Sequence, residues 1–426
     1  MAETIPTELV APLFNPATFG RRGAVDELLS RIRTDYPLCV AEIPGFAPHW
    51  IVSRHADVVD VSSRNDSFAN AVHSATLITT AGEDMVRRFT HGDPNLFHSL
   101  VQMDGAEHRA HRELTAQYFN PRSVRALEAD IRGVARRYVD KLLSSGGSID
   151  WAKEISAHYP LEVVMNLVGV PVADHPQMLR LTQWLFSWAD PDLARPGTDL
   201  ADPEQQAHSW KMIFDEFSQY YLDLAQDRRK KPRNDVASLI ANGKIGDNPL
   251  TDWNTVSYFA ILATAGHDSS AHTMATAMWE LAENPALLRE LKEDLRKINP
   301  FINESIRWAT PVKHFVRTAT EDTELSGRKV ARGDRLYLSY PSANRDDREF
   351  QNPFEFRLDR STNRQLSFGF GGHVCLGQHL ARLEMKCLWE ELLPRLNSVH
   401  MAGEGKLIHS EFVSGPKSVP IQFTIA

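Results

Sequence analysis

The sequence predicts a mainly α-helical protein with small β-sheets at its edges, and two patterns carry that prediction. Apolar residues recur at helical spacing over residues 124–143, 210–229, 253–283 and 377–393. Strand-like runs are short and sit at 38–43, 49–52, 315–339 and 419–424, with the turn dipeptide Pro44-Gly45 between the first two. No internal repeat, low-complexity tract or Gly/Ser linker divides the chain. Residues 190–204 hold Pro191, Pro196, Gly197 and Pro203, which read either as a linker or as a surface loop over a cavity.

Bulk properties narrow the function. The chain has 426 residues and a net charge of −8, so no global field draws nucleic acid or anionic lipid; a local basic patch for an acidic partner stays open. Three cysteines, Cys39, Cys375 and Cys387, are too few and too odd for a disulfide framework and suggest a reducing, cytoplasmic setting. The N-terminal residues lack a basic and then apolar leader pattern, and no window approaches twenty apolar residues. The expectation is a soluble protein that uses no membrane.

The most specific string is Phe368-Gly369-Phe370-Gly371-Gly372-His373-Val374-Cys375-Leu376-Gly377. Glycines ahead of a cysteine permit positive φ and close backbone approach to a flat cofactor. Leu376, Leu380, Leu383 and Leu388 then recur at near-helical spacing, which puts Cys375 at a helix N-terminus. Free N–H groups there favour thiolate over thiol, the form a metal requires. A lone cysteine is more often a small buried core residue. That reading suits Cys387, which lies among Leu383, Leu388 and Trp389, but not Cys375 with its glycines, Phe368 and His373.

Three further patterns stand out. Glu304 and Arg307 are three apart on a helical stretch and can pair, as can Glu293 and Arg296, a spacing that usually marks a solvated surface pair. His108 and Arg112 share a helical face, while His108 and His111 also have the spacing of two metal ligands, with no third indicated. Within 253–283 the first half is apolar nearly all round, yet it runs into Ala265-Gly266-His267-Asp268-Ser269-Ser270. Glycine costs about 1 kcal/mol in a helix interior, and buried polar groups need partners, so a local opening is expected there.

The cysteine string resembles the haem-binding loop of the cytochrome P450 family. Over the rest of the chain, Tyr159-Pro160-Leu161-Glu162-Val163-Val164-Met165, residues 338–346 and Gly415-Pro416-Lys417 are similar to the soluble bacterial α-terpineol hydroxylase branch. The resemblance implies the family fold as a single domain over residues 1–426, with one haem b (iron protoporphyrin IX) between the central helix and the cysteine-loop helix. It implies Cys375 as the iron ligand, with Ala265, Phe368 and Gly377 against the cofactor. His108, Arg112, Arg317 and His373 become the propionate partners. Pro311, Val312 and Arg317 follow Glu304 as in the family, so Glu304, Arg307 and Arg360 become a buried network supporting the cysteine loop. Asp268 and Ser269 become the acid and alcohol that deliver protons to activated oxygen, with serine where threonine is commoner.

Position relative to these motifs puts Ile261, Leu262 and Ala265 on the distal side of the haem, with Val312, Phe315 and Val413 closing the pocket. No buried charge is apparent there for an ionic substrate, although His314 is ambiguous. The resemblance therefore implies hydroxylation of a small apolar molecule, of monoterpene or alkyl-aromatic type, by a monomer using O2. Electrons would come from a ferredoxin and its NAD(P)H-dependent reductase, docking near Arg109. The 190–204 stretch then reads as a mobile loop over the pocket. A peroxide-driven haem-thiolate enzyme and a haem-based gas sensor or carrier are the alternatives, and neither needs the Asp268–Ser269 pair.

Overall fold

The computed structural model describes residues 3–200 and 202–425. Its largest core is formed where the apolar faces of helices meet, among them Glu128–Leu143, Tyr159–Val168, Asp252–Ala265, Asp268–Glu283, Ile298–Ala309 and Gln378–Leu392. Trp151 and Trp389, both buried, stack in it with ring centroids 5.8 Å apart. Aromatic rings of this size bury most area per residue, which fixes how the cysteine helix sits on its neighbours.

The strands gather into a five-stranded sheet in the order Cys39–Ala41, His49–Val52, Arg335–Ser339, His314–Ala319, Phe68–Ala69. All pairs are antiparallel except that of Arg335–Ser339 with His49–Val52. Val52, Val58, Phe68, Leu336, Leu338 and Leu366 form a second buried cluster against it. A three-stranded antiparallel sheet joins Ser148–Asp150, Leu396–Met401 and Pro420–Ile425.

Several boundaries differ from the sequence reading. Residues 124–143 are not one helix: Pro121–Ala126 ends at Leu127, and Glu128–Leu143 starts afresh. The periodicity at 210–229 belongs to a longer helix, Pro203–Lys230, started by Asp202, whose side chain accepts from the Glu204 and Gln205 N–H groups. The strand-like run 315–339 holds two sheet strands joined by the hairpin Thr323–Leu325 and Arg328–Val330. The 190–204 stretch lacks regular structure up to residue 200, but its first residue is tied down. Asp190 is fully buried, accepts from Lys417 Nζ at 2.8 Å and from the His409 N–H at 2.9 Å. The flanking residues Phe186, Trp188, Gln206 and Trp210 line the cavity of about 320 Å³ described below, and of the loop's described residues Asp192 and Leu193 line a third, more polar cavity.

Candidate active site

One wall of the site is the central helix pair. The helix Asp252–Ala265 is buried on nearly every side, which is why its sequence shows no polar face. It stops at Gly266 and His267, and a second helix begins at Asp268. His267 Nδ1 donates to the Ala263 carbonyl at 2.6 Å, so a side chain takes the bond that the backbone gives up. Gly266 has a packing reason as well: a Cβ there would lie 2.8 Å from Val164 Cγ1 on the neighbouring helix. Ser269 Oγ donates back to the Ala265 carbonyl at a long 3.4 Å.

The opposite wall is the cysteine loop. Gly369 and Gly371 both have φ of +70°, and a Cβ on Gly371 would come within 2.1 Å of the Ser62 carbonyl oxygen. The Cys375 N–H donates to the Phe368 carbonyl at 2.8 Å, closing the loop just before the helix Gln378–Leu392. Arg382 stacks over Phe368 at 4.4 Å. Desolvation raises the Cys375 thiol, while the Gly377 and Gln378 N–H groups, Arg112 and Arg382 pull it down, the direction the helix start implies. A cation bound to the sulfur would complete that pull toward thiolate.

Between the walls lies a slot of about 240 Å³, lined by Leu262, Ala265, Ser269, Phe368, Cys375 and Gly377 among others. Its polar rim collects His108, Arg112, Arg317 and His373. His108 and His373 stack at 4.1 Å, and Arg112 Nη2 donates to the Val374 carbonyl at 2.7 Å. Two buried nitrogens on this rim, His108 Nε2 and the Arg317 Nε–H donor, have no partner among the described residues. A buried cation with an idle donor calls for an anionic acceptor, so the rim fits a cofactor bearing carboxylates. Burial, with His373 and Arg112 nearby, lowers His108 to about 4. His111 turns away, bonding the Glu107 carbonyl and Asn254, so it forms no ligand pair with His108.

The rim also holds a cluster that sequence reading missed. Asp104 accepts from the Asn70 and Ala71 N–H groups and from Asn70 Nδ2, at 2.8 to 2.9 Å, and lies 3.6 Å from His373. Burial works against the charge, but His373, Asn70 and the two N–H groups hold Asp104 down to about 2. Within the cysteine helix, burial pushes the Glu384 carboxyl up to about 8, against the pull of Ser270 on the central helix.

The structure places Glu304, Arg307 and Arg360 together. Glu304 accepts from Arg307 at 2.6 and 2.8 Å and from Arg360 Nε at 3.0 and 3.1 Å. Arg307 also reaches the Asn344 carbonyl, and Asn344 Oδ1 accepts from the Leu366 N–H at 2.7 Å, which ties the network to the cysteine loop. Arg296 by contrast is 91% exposed and pairs with Asp294.

A second cavity of about 320 Å³ adjoins the slot; Ile261, Ala265, Ser269, Val312 and Phe315 line both. Val413 lines only this cavity, and Leu262 only the slot. Asp268 lines it too, and also a third, more polar cavity with Lys153, His158, His272 and Lys417. His272 Nε2 lies 3.5 Å from Asp268 Oδ2. Burial works against the Asp268 charge, yet His272 and His267 hold its carboxyl below the usual range. One buried ionisable group, Glu411, which the sequence reading did not single out, stands in the wall of the second cavity. His314, the ambiguous residue, is neutral: burial lowers it to about 3, and both ring nitrogens are engaged by backbone.

A helical fold with a cysteine-walled slot and a carboxylate-seeking rim defines a haem-thiolate protein, and comparison with known proteins agrees. The family model described as Cytochrome P450 matches residues 50–423. Cytochrome P450-terp of a Pseudomonas species is 40% identical over 423 residues, covering 99% of each chain. The crystal structure of CYP108D1 from Novosphingobium aromaticivorans superposes with a TM-score of 0.90 at 38% identity, covering all of both chains. That of Mycobacterium marinum CYP268A2 in complex with pseudoionone gives 0.85 at 29%, covering 96% of this chain and 97% of the other. The chain belongs to the cytochrome P450 family. It is therefore a monooxygenase of the bacterial type, and among the described residues no helix is long and apolar enough to cross a membrane.

Proposed function

We propose that this P450 hydroxylates a small, largely apolar molecule of monoterpene or alkyl-aromatic size. Electrons reach it from a ferredoxin served by an NAD(P)H-dependent reductase, and the chain works as one cytoplasmic domain. The observation that carries the reading is the cavity of about 320 Å³, at the small end of ligand pockets, opening directly onto the slot through Ala265 and Ser269. The 40% identity to Cytochrome P450-terp supports the same size class.

In this reading Cys375 holds haem b, with His108, Arg112, Arg317 and His373 on its propionates. When bound, the haem supplies dioxygen activation, which a thiolate ligand favours by electron donation. The chain supplies the rest. Phe315, Val312, Ile261 and Val413 exclude water and hold the substrate by shape. Asp268 sits between the substrate cavity and the polar cavity, so its Oδ2 can take a proton from His272 Nε2 and release it on the other side. Ser269 Oγ, one residue on, holds the acceptor water in place.

The test is direct. The carbon-monoxide complex of the reduced protein should show the red-shifted band that names the family, and Cys375→Ser should abolish it. Product should form with NADH, reductase and ferredoxin, and a panel of terpenes, alkyl-aromatics and fatty acids should shift the haem band only with the first two. Tight binding of fatty acids alone would overturn the substrate class. Turnover with peroxide but not with NADH and ferredoxin would overturn the reaction.

A further inference from the structure

The wall of the substrate cavity contains one acid that the chemistry above does not use. Glu411 is 5% exposed and lines the substrate cavity but not the slot. Its backbone is fixed on all sides. The Lys313 N–H donates to the Phe412 carbonyl at 2.8 Å, the Ser414 N–H to the Pro311 carbonyl at 2.9 Å, and His314 Nδ1 to the Glu411 carbonyl at 3.0 Å. Its side chain is not fixed in the same way. Oε2 is buried and has no hydrogen-bond partner within the protein. The adjacent imidazole cannot serve, because His314 Nε2 already accepts the Leu77 N–H at 2.9 Å.

Several other polar atoms of this cavity are engaged within the protein. Asn95 accepts from the Ala75 N–H, Gln102 from Ser99, and Thr264 donates to the Ala260 carbonyl. Burial pushes the Glu411 carboxyl up to about 7. Near neutral pH it is therefore available as an O–H donor. A carboxyl oxygen left without a partner in a largely apolar wall, with Phe14, Phe46, Leu77 and Phe412 around the same cavity, suits a ligand that is itself mostly apolar.

We propose that Glu411 is the polar anchor of the substrate, hydrogen-bonding the single oxygen of an apolar alcohol or ketone. The inference rests on the small-substrate reading above and narrows it: the preferred substrate is a mono-oxygenated hydrocarbon rather than a bare one. Because Glu411 lies outside the slot, the oxygen-bearing end is held away from the haem. The other end of the carbon skeleton is presented for hydroxylation.

The test uses the haem-loaded protein and two ligands that differ by one oxygen, cumyl alcohol and cumene, with dissociation constants measured by calorimetry. Wild type should bind the alcohol about tenfold more tightly, the effect of one well-placed hydrogen bond. Glu411→Gln should keep most of that preference, and Glu411→Leu should erase it without weakening cumene. A preference that survives in Glu411→Leu overturns the anchor, as does equal binding of both ligands by wild type. Binding of neither ligand overturns the small-substrate reading itself, and the anchor with it. Should Glu411→Leu fail to fold, the carbonyl infrared stretch of acetophenone bound to wild type decides the matter. A stretch lowered from its value in hydrocarbon solvent supports the hydrogen bond, and an unshifted one overturns it.

Discussion

Ser269 shows how much one methyl group can matter at this site. Its hydroxyl reaches only 3.4 Å to the Ala265 carbonyl, and serine lacks the γ-methyl that would restrict χ1. The hydroxyl is therefore shared among up to three staggered wells, and a water it should hold is held for only part of the time. Ser269→Thr should raise product formed per NADH consumed, by up to about threefold if three wells collapse to one. Ser269→Ala should lower it, with peroxide making up the difference. An unchanged ratio in Ser269→Thr would remove the hydroxyl's placement as the limiting factor. Glycine 266 is the second residue where a single methyl decides. Because its Cβ would press on the Leu262 carbonyl oxygen at 2.4 Å as well as on Val164 at 2.8 Å, Gly266→Ala should destabilise the fold by about 1–3 kcal/mol, read from denaturant unfolding, and Val164→Ala in the same chain should restore only the Val164 part of the loss. An additive double variant would show that Val164 is not the obstacle.

At the scale of elements, the Glu304 network joins the helix Ile298–Ala309 to the segment that leads into the cysteine loop. Arg307 is fully buried, so its charge survives only because Glu304 and the backbone carbonyls accept all its donors. Glu304→Gln leaves Arg307 and Arg360 short of one negative charge, and a loss of roughly 3–5 kcal/mol with earlier haem release on heating is expected. Although burial works against the charge, Arg307 and Arg360 hold the Glu304 carboxyl below its ordinary value. A depressed folded-state pKa gives stability that is full above the unfolded-state value and is lost as pH falls through the folded one. The stability gap between wild type and Glu304→Gln should therefore be widest near neutrality and shrink on acidification. A gap that stays constant with pH would show that the carboxylate's charge is not what matters.

At the scale of the whole molecule, what could be read from sequence was what the chain writes contiguously. The cysteine loop occupies ten successive residues and the opened helix six, so the local pattern announced them, whereas Glu304 with Arg307 shares its spacing with Glu293 and Arg296 and stood out only through the family resemblance. Asp104 stayed hidden because its partners Asn70 and His373 stand 34 residues before it and far beyond it, and no periodicity links the three. Glu411 stayed hidden for a related reason: an acid in a loop reads as solvated until the fold shows what covers it. The same limit applies to the docking face. For the proposed ferredoxin donor, if acidic, a net charge of −8 is repulsive overall, and docking would rely on a local patch. The structure offers one beside the cysteine loop. Arg109 is exposed one turn from the rim, and Arg122 and Arg125 are exposed on Pro121–Ala126, which packs against the cysteine helix. Reversing Arg109 and Arg125 to glutamate should lower the rate of reduction by ferredoxin about tenfold at low salt, while leaving substrate affinity and thermal stability unchanged. Raising ionic strength past about 0.1 M, where screening acts within about 10 Å, should slow the wild type and erase most of its advantage. A reduction rate indifferent to both salt and charge reversal would place the electron donor on another face.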